Sequence, residues 1–87
     1  MNRIERIYKA LGYTKHAFAQ IAGVADSTVD SWDAGNMTAN TISWFHSHYG
    51  LSYDYLLGQG RATGNEKIDR IINLLEEVEQ LRKEIEK

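Results

Sequence analysis

Apolar residues recur along this chain at spacings of three and four, and glycines punctuate them. Ile4, Ile7, Tyr8 and Leu11 share one helical face, with Asn2 placed to cap the segment and Gly12 to end it. Thr14 caps a second segment, in which Ala17, Phe18 and Ile21 are expected to face inward and Gly23 breaks the helix. A third runs from about Asp26 to Trp32, with Val29 and Trp32 on one face, and stops near Gly35. Thr38 or Asn40 opens a fourth, with Ile42, Phe45 and Tyr49 inward and Gly50 at its end. Ser52 caps a fifth, Tyr53 to Leu57. No alternating run supports a strand, so the pattern predicts an all-α fold.

A glycine-rich stretch at 58–65 separates these segments from a different kind of pattern. The expected organisation is a head at 1–60, a linker at 61–65 and a C-terminal helix at 66–87. Thr63 and Glu66 have the spacing of a capping box, and Asn65 is an equally good single cap. Beyond the cap, Ile71, Leu74, Val78, Leu81 and Ile85 occupy heptad positions a, d, a, d and a. β-Branched residues at a and leucine at d favour a parallel two-stranded coiled coil. Glu77 at g and Arg82 at the following e can pair across the strands, and Glu66–Arg70 and Glu79–Lys83 have the favourable order within one helix. Ile68, Ile72 and Leu75 add a second stripe, which must pack on the head or on further helices as in a tetramer. The five heptad residues are therefore expected to carry self-association as dimer or tetramer. The alternative is a monomer whose last helix folds back on its own head.

Composition narrows the picture. The 87 residues allow one domain with an appendage, and a chain of this size has a thin core. Without cysteine there is no disulfide framework or thiolate metal site to reinforce it. No apolar run reaches the length of a membrane span and no signal-peptide core follows Met1, so a cytoplasmic location is expected. The formal net charge of −2 argues at first against nucleic acid. Residues 1–65, however, hold five acids and five bases, and the whole deficit lies in the seven acids and five bases of residues 66–87.

The second and third segments are joined by only Gly23-Val24-Ala25, the connection of a helix-turn-helix unit. From Thr14 through Gly23-Val24, Ser27-Thr28-Val29, Trp32 and Gly35 to Leu56-Leu57-Gly58-Gln59-Gly60, the chain resembles the lambda-repressor-like helix-turn-helix superfamily. Within it, the chain is most similar to CI-type phage repressor DNA-binding domains. The resemblance implies a five-helix DNA-binding head, used as a homodimer on operators of phage, prophage or plasmid genes. The heptad tail would supply dimerisation, as in a Cro-sized regulator. It further implies base reading by Asp26, Ser27, Thr28 and Ser31, and phosphate contacts from Thr14, Lys15, Asn36, Thr38 and Asn40. Helix N-termini offer free amides to phosphate, and short polar side chains reach base edges.

Charge sets a limit on that reading. The third segment carries Asp26, Asp30 and Asp33 and no base. Asp26 has a second role open to it as that helix's cap, and Asp33 is expected as solvated surface. Attraction to phosphate must then come from Arg3, Arg6, Lys9, Lys15 and Arg61, which predicts a shallow salt dependence. His46 and His48 fall on different faces and His16 is isolated in sequence, so no metal or other cofactor is expected. Trp44 is out of phase with its helix's inward residues, which suggests exposure at a contact surface. No nucleophile motif or phosphate loop points to an enzyme. The expectation is a DNA-binding transcriptional regulator, most simply a repressor, acting as a homo-oligomer on double-stranded operator DNA. The alternative is an anti-repressor or antitoxin-associated adaptor on the same fold, whose acidic third helix meets another regulatory protein.

Overall fold

A computed structural model of the protein describes residues 2–86; Met1 and Lys87, the outer ends of the expected head and tail, lie outside the described residues. Six helices follow one another: α1 (Arg3–Ala10), α2 (Lys15–Ala22), α3 (Asp26–Asp33), α4 (Ala39–Tyr49), α5 (Tyr53–Leu56) and α6 (Glu66–Ile85). The described residues contain no strand, and the fold is all-α as the periodicity predicts. No helix among them is long and apolar enough to cross a membrane.

Caps set the helix boundaries. The Thr14, Thr38 and Ser52 hydroxyls accept from the Ala17, Thr41 and Tyr55 amides at 3.2 Å each, starting α2, α4 and α5. Thr38, rather than Asn40, therefore opens the fourth helix. Gly23 and Gly50 end α2 and α4 in the left-handed conformation, at φ 73° and 67°.

The core is assembled around Phe18, whose ring lies 5.9 Å from Tyr8, 5.8 Å from Phe45 and 6.4 Å from Tyr49. Ile4, Ile7, Val29, Trp32, Leu51, Tyr55 and Leu56 complete it. Trp44 is half-buried rather than standing free, its ring edge-on to Phe45 at 5.0 Å. The inward expectation for Ile21 fails, because this side chain is 49% exposed. Phe18 and Ala19 are the buried residues of α2, and at 3.6 residues per turn Ile21 lies about 110° around the helix from their midline.

α6 is fastened to the other helices at its start. The Asn65 side chain accepts from the Lys67 and Ile68 amides at 3.1 and 3.2 Å, so Asn65 is the cap. Thr63 is instead fully buried. Its amide donates to Asp69 Oδ1 at 2.8 Å, its carbonyl accepts from the Ser52 amide at 2.6 Å, and its hydroxyl accepts from the Asn65 amide at 3.1 Å. Asn65 Nδ2 donates to the Tyr49 carbonyl at 2.9 Å. From there Ile68 and Ile72 enter the common core, Leu75 is half-buried, and Glu76 meets Arg6 of α1 at 3.3 Å. The second apolar stripe thus packs on the head, as one of the two expected solutions.

Candidate nucleic-acid interface

The connection between α2 and α3 is tight for identifiable reasons. Gly23 takes a positive φ that L side chains rarely adopt, and the Val24 amide closes the turn onto the Ala19 carbonyl at 2.9 Å. Ala19, 1% exposed, leaves room for the two helices to approach. Ala25 precedes α3 without a side-chain cap. Asp26 is the first residue of α3 and does not cap it: its carboxylate is bound to His16 Nδ1 at 3.0 Å.

The faces of α3 explain the arrangement of its side chains. Val29 and Trp32 are buried. At about 100° per residue, Ser27 and Ser31 lie on the side opposite that buried pair, and Thr28 lies between them and Trp32. Asp26, Asp30 and Asp33 are spaced by four and three, so they form a single stripe along the flank. Each aspartate is bound to another helix. Asp26 pairs with His16, Asp30 accepts from Lys15 Nζ at 3.1 Å, and Asp33 Oδ1 accepts the Ile4 amide at 2.7 Å.

Asp33 is accordingly not solvated surface. It supplies α1 with an N-terminal acceptor from 29 residues away, and burial pushes its carboxyl above the ordinary value although the Ile4 and Glu5 amides oppose the shift. Its hydrogen bond to Asp30 holds the Lys15 ammonium above its ordinary value. His16 also lies within hydrogen-bond distance of Gln20, with Nε2 3.3 Å from the amide nitrogen. With Gln20 Nε2 donating to that ring nitrogen, Nδ1–H donates to Asp26.

Ser27 is exposed, whereas Thr28 and Ser31 are half-buried. The Ser31 hydroxyl donates to the Thr28 carbonyl at 2.7 Å, so its proton is already engaged. Thr14 and Thr38 are exposed but serve as caps, while Asn36 and Asn40 are exposed on the approach to α4 and in its first turn. Asn40 and Thr41 border a cleft of about 160 Å³ with Ala22, Val24, Trp32 and Trp44. The structure thus joins Lys15 to Asp30 and His16 to Asp26 in direct contact between α2 and α3. It does not join Asn36 or Thr38 to them by any described side-chain bond.

Comparison of the chain with protein-family models, with curated proteins and with solved structures returns no match. The reading of this surface rests on its geometry.

The cations are less available than the sequence implies. Arg6 contacts Glu76 at 3.3 Å, Lys9 contacts Glu5 at 3.4 Å and Lys15 contacts Asp30. Of the five bases in residues 1–65, only Arg3 and Arg61 lack a carboxylate partner among the described residues. Sequence reasoning missed His16 and Gln20 as members of this surface and Asp33 as a cap. The 26, 30, 33 spacing was a usable signal for one acidic stripe, but nothing in the sequence named its partners. His46, stacked on Tyr53 at 4.4 Å with Nδ1–H donating to the Leu51 carbonyl at 2.7 Å, braces α4 against α5.

Proposed function

We propose that this protein is a sequence-specific double-stranded DNA-binding regulator of lambda-repressor-like helix-turn-helix type, acting as a homo-oligomer to repress phage, prophage or plasmid genes. The observation that carries the reading is the orientation of α3. Ser27, Thr28 and Ser31 occupy its outer side beyond a three-residue turn, while the aspartates are drawn sideways onto α2 and α1. A neutral polar ridge of short side chains suits base edges in a major groove, and the α2 and α4 N-termini suit phosphate. Binding of the full chain to the DNA flanking its own coding sequence, at two salt concentrations, tests this. With two unpaired bases per chain outside α6, a dimer is expected to give a slope of log K against log salt of about −4. A slope steeper than about −9 would mean that the paired bases also reach phosphate.

A second reading is favoured by one specific feature. The candidate phosphate contact Lys15 is held by Asp30, and the cleft beside Trp32 and Trp44 is largely apolar. Both suit a protein partner with a basic, partly apolar surface, as for an anti-repressor or antitoxin-associated adaptor. Complete absence of binding to that DNA by a folded oligomer would decide for the adaptor.

A further inference from the structure

We infer that α6 is the interface for one further copy of this chain, paired in parallel and in register, and that the assembly stops at two. Nine large apolar side chains are exposed among the described residues, and five of them are Ile71 (40%), Leu74 (53%), Val78 (42%), Leu81 (52%) and Ile85 (83%). They form one line along α6, and a contiguous line of this kind marks an interaction surface. Folding of the single chain does not account for it, since α6 meets the core through other residues, namely Ile68 and Ile72.

The number of copies follows from the placement of the two stripes. Around a helix of 3.6 residues per turn, the head-facing residues are centred about 120° from the centre of the exposed line. α1 therefore covers one flank of α6, and the five residues of the line stay 40–83% exposed on the side open to a partner helix. The second stripe can pack on the head or on further helices, and its Ile68 and Ile72 are already buried in the common core.

Direction follows from chemistry. In parallel register the line makes five uninterrupted apolar layers, and Glu77 of each copy faces the partner's Arg82 twice over. An antiparallel pair that sets Ile71 against the partner's Leu81 brings Ile85, the most exposed of the five, onto the partner's Lys67. It also places Glu77 against the partner's Glu77. Parallel pairing puts both heads at the same end of the coil, as two half-sites on one duplex require, although the inference itself does not depend on DNA.

The cysteine-free sequence allows a direct test with the full chain. Sedimentation equilibrium at micromolar concentration should give twice the chain mass, and Ile85→Cys should oxidise to a covalent dimer. Glu77→Lys should weaken association roughly tenfold, with Arg82→Glu in the same chain restoring it. A folded monomer throughout the micromolar range, or a four-chain mass, would overturn the inference. So would a dimer in which Ile85→Cys fails to cross-link, because the antiparallel register holds those positions about 27 Å apart. Val78→Asp should give a monomer with unchanged helical content, since Val78 is exposed in the single chain.

Discussion

Asp33 illustrates how one side chain can be assigned the wrong work by its charge. Placed at the end of α3, it reads as an obstacle to phosphate, yet its Oδ1 receives the Ile4 amide at 2.7 Å and ties α1 to α3. Loss of that acceptor exposes an orphan amide at a helix start, so Asp33→Ala is expected to cost about 1–2 kcal/mol in urea unfolding. Asp33→Asn keeps an oxygen there and removes the charge that burial disfavours. Because the carboxyl is raised in the folded state, its contribution to stability is full below the ordinary value of 3.8 and is lost as pH rises through the folded value. The asparagine variant should therefore gain on the native protein as pH rises through that window, and keep the gain at neutral pH. A constant difference across the acid range would show that burial does not govern Asp33.

Among the elements, the start of α6 depends on a single backbone conformation. Gly64 has φ +89°, and a Cβ there would approach the Ser52 amide nitrogen at 3.0 Å and the Gly50 carbonyl at 3.2 Å. Gly23 has a positive φ too, but a Cβ on it meets nothing within 4 Å. Gly23→Ala should thus cost about 1–2 kcal/mol for the left-handed conformation alone. Gly64→Ala should cost more, because the collision also disturbs the Ser52–Thr63 and Thr63–Asp69 hydrogen bonds. Equal losses in denaturant titrations of the two would show that the 61–65 segment does not hold α6.

The helices and their breakers were legible in the sequence because periodicity and capping act within a few residues. The heptad line was legible for the same reason. The buried Thr63 was not, since a threonine three residues before a helix reads as a cap until its neighbours are known. Nor were Lys15–Asp30 and His16–Asp26, which join residues 15 and 10 positions apart across a turn whose angle no local pattern states. Ile21 misled because the inward side of an eight-residue helix is set by what packs on it.

At the scale of the whole molecule, the head and the acidic helix share one core, so association and folding are linked. The long axis is 43 Å against 25 and 20 Å across, consistent with α6 extending beyond the head. Along that extension the exposed line has no covering in the single chain. Whatever binds the folded chain and not the unfolded one raises its apparent stability by mass action. For dissociation coupled to unfolding, each tenfold rise in protein concentration adds about 1.4 kcal/mol per dimer. A pair of chains of this length converts that to roughly 3–5 °C in Tm. The native protein should show this dependence in calorimetry and the Val78→Asp variant should not. Both should converge on one Tm at high dilution, since Val78 contributes little to the core of the single chain. A concentration-independent Tm in the native protein would mean that the heads melt alone and the coil separates first. In that case Gly64→Ala, which loosens α6 from the head, should lower the Tm of the heads while leaving their pairing intact.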